Sequence, residues 1–273
     1  MPERRVFKAK APLRLGIAGG GTDISAYAEA HGGAVLNATI NLYAHAVVLP
    51  RNDNQVEFIS VNPDHQQVLS SLQSLPVMGP LHLLCGIYNR IVREFTGGTP
   101  LSFTLLTDVN APIGSGLGAS SATTVAVVGA LAEWLQLGLG EYDIARLAFE
   151  IERHDLKLAG GKQDHYAAAF GGFNFMEFES GDEVLVNPLR IKPEYIAELE
   201  DNLLLYYTGL NRESAQIIER KIALVSSNDD SIRHLHRMKA LAFDAKKYLL
   251  RGQLSDLGAL LDEMWQCKRA SVQ

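Results

Sequence analysis

The residues with the most chemical content lie between Pro112 and Ala122, in the segment PIGSGLGASSA. Gly114, Gly116 and Gly118 alternate with Ser115 and Leu117, and Ala119, Ser120 and Ser121 lead into a long apolar run. Glycine lets backbone amides approach a ligand closely, and a helix N-terminus adds unpaired N–H groups and a partial positive charge. The segment therefore reads as an anion cradle opening a helix, and its serine hydroxyls can hold phosphate or Mg2+. A second set stands near the start of the chain, where Arg14 and Asp23 flank the turn Gly19-Gly20-Gly21-Thr22. This places a cation and a carboxylate on either side of a turn tight enough to admit a ligand. Asp23 can equally be a helix cap, and Arg14 a solvated strand residue. A third carboxylate, Glu152, borders the apolar stripe of a helix, whereas Glu150 and Arg153 point away on a wheel of about 100° per residue. A carboxylate beside a buried face needs a partner or a task.

Better-known motifs fit the glycine segment less well. Gly114 to Ala119 satisfies the dinucleotide pattern G-x-G-x-x-A, and Glu133 lies near the spacing of a ribose-binding acid, but it falls inside the following helix instead of at the end of a second strand. No Gly-Lys-Ser/Thr follows, as a Walker loop requires. Gly118-Ala119-Ser120-Ser121-Ala122 lacks the closing glycine of a nucleophile elbow.

Alternation and β-forming residues predict strands over 6–18, 34–49, 56–61 and 101–109, with the early ones in an antiparallel sheet. A short helix follows the triple glycine, with Thr22 or Asp23 as its cap. Further helices are predicted over 81–95, from Ser120 through Leu135, and over 141–157, where Ile144, Leu147, Ala148 and Ile151 keep helical spacing. The segment AGGKQ turns the chain before Asp164, His165–Phe170 is helical, and Phe173, Phe175 and Phe178 mark a strand. Leu203–Tyr207 reads as a buried strand. The rest is helical, with Leu254, Leu257, Leu261 and Trp265 on one apolar face.

At 273 residues the chain has room for two domains. A formal charge of −6 leaves no chain-wide field for nucleic acid or an acidic membrane. Only Cys85 and Cys267 are present, without pairing or metal spacing, and no apolar leader or span is found, so a soluble cytoplasmic protein with buried cysteines is expected. His31, His45 and His165 show no metal spacing.

Together KAPLRLGIAGGGTD, PIGSGLGASSA and GGKQDHYAAAFGG resemble, in order, the motifs of the GHMP family of small-molecule kinases, which includes galactokinase, homoserine kinase and mevalonate kinase. The resemblance implies an α+β fold of two domains. Residues 1–172 would form a ribosomal-protein-S5-like ATP-binding domain, and residues 173–273 a ferredoxin-like domain. The family's third, glycine-rich motif has no counterpart before Gln273, which implies an incomplete second domain and leaves a non-catalytic nucleotide- or sugar-binding module as a rival reading.

By position in the matching motifs, Pro112 and Gly114 to Ser121 would wrap the ATP phosphates, while Ser120, Ser121 and Glu152 would hold Mg2+. Asp164 would be the base facing the acceptor hydroxyl, and Arg14 would steady the transferred phosphoryl group. Gly20, Gly21, Thr22 and Asp23 would meet the sugar. Many sugar kinases of the family carry Gly-Glu-His-Thr-Asp where this chain has Gly19-Gly20-Gly21-Thr22-Asp23. That departure argues against galactose and for another acceptor; within the family, what the triple-glycine turn and the YAAAFGG segment most resemble implies the anomeric hydroxyl of a heptose 7-phosphate, with L-fucose as the rival. An acceptor phosphate needs its own cations, and Lys162 and Arg212 are candidates by position.

Overall fold

The structure is a computed structural model that describes residues 5–112, 114–209 and 229–271. Its contacts divide the chain into two compact units that interleave in sequence. One comprises Met1–Leu13, Ile40–Leu158 and Asp164–Ala169, and the other Arg14–Thr39, Ala159–Gln163 and Phe170–Gln273. The motif-based division at 172/173 is a single cut, whereas the two packed units exchange chain at several points.

In the first unit, β2 (Gly33–Pro50) pairs antiparallel with β5 (Phe103–Val109) through its later residues, from Ala44↔Val109 to Pro50↔Phe103. β5 lies parallel to β3 (Gln55–Ser60), and β3 pairs antiparallel with β4 (His65–Ser70). The sheet is therefore mixed, not purely antiparallel as the early strands suggest. A parallel pair needs a crossover connection, and α2 (His82–Phe95) supplies it. Ile87, Tyr88 and Ile91 of α2 join Val48, Phe58 and Phe103 of the strands and Val127, Val128 and Leu131 of α3 (Ala119–Leu135) in one core. α3 is apolar on nearly every side, as its breaker-poor sequence requires of a helix buried all round.

The predicted helix over 141–157 is α4 (Glu141–Glu150) followed by a π turn, Ile151–Asp155. Its ring closes from the Leu156 N–H to the Ile151 carbonyl at 3.0 Å, and the chain leaves it at Lys157 with φ +56°. α5 begins at Gln163 and runs to Phe170, so Asp164 lies inside its first turn.

In the second unit, the first residues of β2 pair with β6 (Phe173–Phe178), Gly33 opposite Phe178, and β6 pairs with β7 (Val184–Pro188). Leu36 and Phe175 pack with Leu235, Met238 and Leu241 of the helix Asp229–Arg251 and with Leu260 of the helix Leu254–Ala270. Three expectations change here. The short helix is Ser25–His31 and its N-cap is Ile24, with no side-chain cap, because Thr22 and Asp23 are engaged elsewhere. Leu203–Tyr207 is not a buried strand: it is irregular and exposed, Leu204 to 89%. In the last helix the buried face is Leu257, Leu260, Met264 and Cys267, while Trp265 faces outward.

Cys85 and Cys267 are both buried and free. No helix among the described residues is long and apolar enough to cross a membrane.

Candidate active site

β1 (Phe7–Ala18) carries Arg14, half-buried, into the triple-glycine turn. β5 delivers the chain to the second glycine segment, whose residues Gly114, Gly116 and Gly118 have φ of +74°, +77° and +78°. L side chains avoid that region, so the alternating glycines permit a loop that other residues would strain. Ser115 N–H closes a turn on the Pro112 carbonyl at 3.2 Å. A Cβ added at Gly116 would meet nothing within 4 Å, so the loop faces open space there. The Ser115 hydroxyl is shielded and has no hydrogen-bond partner among the described residues. A buried hydroxyl left unpaired is costly, and a phosphate oxygen on this loop would satisfy it. The cradle thus fits a polyphosphate, with α3 opening directly behind it at Ala119.

Glu152 is buried to 1% exposure within this unit. Its Oε1 accepts the Thr124 hydroxyl at 2.6 Å and lies 3.5 Å from the Ser120 hydroxyl. Its Oε2 accepts the Ser121 hydroxyl at 3.1 Å and the Arg153 guanidinium at 3.0 Å, with His165 Nε2 at 3.3 Å. Burial pushes the Glu152 carboxyl up, but His165, the charge of Arg153 and the Thr124 hydrogen bond outweigh it and hold the pKa at about 2. A buried charge persists only when paired and hydrogen-bonded in this way.

Three of these partners, Thr124, Arg153 and His165, are absent from the sequence-based site. Thr124 is detectable as the residue one helical turn after Ser120. Arg153 is placed on the wrong face by an α-helical wheel, because the π turn changes the angular step and brings its guanidinium back to its neighbour's carboxylate.

The oxygens of Glu152, Ser120 and Ser121 are of the kind a hard cation takes, and Oε1 is the carboxylate oxygen that Arg153 and His165 leave to hydroxyls. Among the described residues no group of three or more His, Cys, Asp or Glu could hold a metal ion by itself. Mg2+ commonly binds one or two carboxylates together with substrate phosphates and waters, and Ser120, exposed at the start of α3 beside Glu152 Oε1, stands where such an ion could gain protein oxygens. Ser121 is the buried member of the pair.

The second unit builds a different cluster. The Thr22 hydroxyl lies between the carbonyls of Gly19, at 2.8 Å, and Ala34, at 3.0 Å, and accepts the Ala34 N–H. Asp23, 2% exposed, accepts Gly21 N–H at 2.9 Å and the Gln163 carboxamide at 3.1 Å on Oδ1, and Gln163 N–H at 3.2 Å on Oδ2. Lys162 N–H reaches the Asp23 carbonyl at 3.3 Å. A Cβ at Gly161 would sit 1.9 Å from Asp23 Oδ2, so only glycine lets that carboxylate in. The Lys162 side chain is buried and lies 3.6 Å from Glu29. Asp164 follows Gln163 and is half-buried. Arg212 lies outside the described residues.

Comparison with known proteins gives a consistent result. The family described as GHMP kinases N terminal domain matches residues 82–172. A D-glycero-alpha-D-manno-heptose 7-phosphate kinase of Campylobacter jejuni is 46% identical over 265 residues, 97% of this chain and 78% of that protein. An L-fucokinase/L-fucose-1-P guanylyltransferase of Bacteroides fragilis is 27% identical over 97% of this chain but only 30% of its own length. Among solved structures, a D-glycero-D-manno-heptose 1-phosphate kinase from Bacteroides thetaiotaomicron is similar at a TM-score of 0.85 and 42% identity, covering 97% of this chain and 79% of that one.

Proposed function

The chain belongs to the GHMP kinase family and is an ATP-dependent sugar kinase, and from that premise we propose that it phosphorylates the anomeric hydroxyl of D-glycero-D-manno-heptose 7-phosphate to give the 1,7-bisphosphate. The observation that carries the acceptor is the 46% identity to a heptose 7-phosphate kinase along 97% of the chain. In this reading residues 1–172 form the ATP-binding domain and residues 173–273 the second domain.

Phosphoryl transfer depends on in-line positioning and on neutralising charge, with little covalent chemistry left for the protein. The amides of Gly114 to Ala119 and the Ser115 hydroxyl hold the phosphates of ATP over the N-terminus of α3. Ser120, Ser121 and Glu152 would hold Mg2+, which would neutralise charge on the phosphate oxygens. The acceptor oxygen attacks the γ-phosphorus, its proton passes to the Asp164 carboxylate, and the bond to the β,γ-bridging oxygen breaks to release ADP. Arg14 offsets charge on the transferred group. Gly20, Gly21 and Asp23 are the sugar contacts in this reading, with Thr22 fixing their turn through its bonds to Gly19 and Ala34, and Lys162 and Arg212 take the acceptor phosphate.

Coupled ADP release over a panel of heptose 7-phosphate, L-fucose and galactose tests the reading, with Asp164→Asn beside the native chain. The heptose phosphate is expected to give the highest kcat/KM, and Asp164→Asn to lower kcat about 10³-fold with the acceptor KM little changed. Unchanged turnover in that variant would remove Asp164 as the base. Preference for fucose would reassign the acceptor, and binding of an ATP analogue without turnover on any sugar would favour a binding module.

A further inference from the structure

The π turn that presents Glu152 is gripped from one side by α2, and the grip has two parts. Arg90, only 8% exposed, donates from Nη1 to Glu150 at 2.6 Å and from Nε to Asp155 at 2.7 Å. These carboxylates stand at the last residue of α4 and the last residue of the π turn, so one guanidinium spans the whole irregular segment. Arg93 adds a contact to Asp155 at 3.2 Å. One helical turn before Arg90, Gly86 leaves room for Leu156: a Cβ there would lie 2.6 Å from Leu156 Cδ2. Residues four apart share a helix face, so Gly86 and Arg90 hold both the apolar and the charged side of the turn.

We propose that Arg90 is a positioning residue for phosphoryl transfer, fixing the π turn so that Glu152 faces the hydroxyls of Ser120, Ser121 and Thr124. The inference rests on the reading of Glu152 as the metal-holding carboxylate. An ordinary α-helical continuation would change the angular position of residue 152 relative to α3, and π turns recur where a functional side chain must be re-aimed. The guanidinium fork suits two separated carboxylates, whereas a lysine ammonium is a single point charge on a flexible stem. Support of a metal-holding side chain from behind is commonly worth 10- to 100-fold in metal affinity or activity.

The test is calorimetric titration of a non-hydrolysable ATP analogue at graded Mg2+, on the native chain and on Arg90→Ala, Arg90→Lys, Glu152→Gln and Arg51→Ala. The last removes a cation from an unrelated cluster with Asp53 and Glu57 in the same unit. Arg90→Ala is expected to raise the Mg2+ midpoint about 10-fold, to speed amide exchange at Leu156 and Leu158, and to leave analogue binding without Mg2+ and the acceptor KM near native values. Arg90→Lys, which preserves the charge and guards against a failure to fold, is expected to give a smaller shift in the same direction. If Glu152→Gln moves the midpoint and neither Arg90 variant does, the proposal fails. An equal shift in Arg51→Ala would also overturn it, by marking the effect as general destabilisation. If Glu152→Gln leaves the midpoint unmoved, the metal reading of Glu152 fails first and takes the proposal with it.

Discussion

Two buried carboxylates, Glu152 and Asp23, are held by opposite means. Glu152 stands among hydroxyls, a guanidinium and an imidazole, which keep it ionised against the cost of burial. Asp23 stands among amides, two from the backbone and one from Gln163, and fills the space that a side chain at residue 161 would need. The first arrangement maintains a charge next to an exposed serine at the mouth of a glycine loop. The second ties two loops together and, in the proposed site, presents the same carboxylate to the sugar. Burial alone does not tell the roles apart, and the chemistry of the donors does.

The largest predicted difference between the two regions is structural. Gly161→Ala forces a methyl group to within 1.9 Å of Asp23 Oδ2 and should destabilise the protein by about 3 kcal/mol, read as a fall in the urea midpoint at constant slope. Gly116→Ala meets open space and faces only its left-handed backbone, so about 1 kcal/mol is expected. Equal losses at the two sites would erase the contrast between a packed staple and an open cradle.

Acid titration probes the other carboxylate, in a window below any pH at which the kinase would be assayed. The Glu152 pKa is lowered on folding from 4.5 to about 2, so its charge contributes stability that is fully present above 4.5 and lost as pH falls toward 2. Across that window the urea midpoint of the native chain should fall more steeply than that of Glu152→Gln. Parallel curves would mean that the charge of Glu152 is not held as its neighbours imply.

The parts of this arrangement written in local sequence were legible in it. The strand 7–18, the amphipathic helix 82–95 and the breaker-poor helix 119–135 follow from periodicity and composition. The grouping of Ser120 and Ser121 with Glu152 follows from the family motifs, and the structure brings those side chains together. Non-local features were not legible. A wheel drawn at 100° per residue has no place for a π turn, whose carboxylates are held by Arg90, 60 and 65 positions away in sequence. β4, HQQVLS, is mostly polar and lacks a strong β signature, yet it pairs with β3 along its whole length. Leu203–Tyr207 shows the opposite failure: an apolar β-forming string reads as buried, yet among the described residues no strand pairs with it and it stands exposed. Thr22 and Asp23 have the residue types of helix caps, but donors from Ala34 and Gln163 compete for them and win.

The most direct test of the division between the two carboxylates is a paired titration of Mg2+ and of heptose 7-phosphate on the native chain, Glu152→Gln and Asp23→Asn, with initial ADP release as the readout. The expected result is a double dissociation. Glu152→Gln raises the Mg2+ requirement and lowers kcat about 100-fold with the acceptor KM nearly unchanged, whereas Asp23→Asn raises the acceptor KM with the Mg2+ requirement unchanged. A Glu152→Gln variant that shifts the acceptor KM alone, or an Asp23→Asn variant that shifts the Mg2+ requirement alone, would contradict the account.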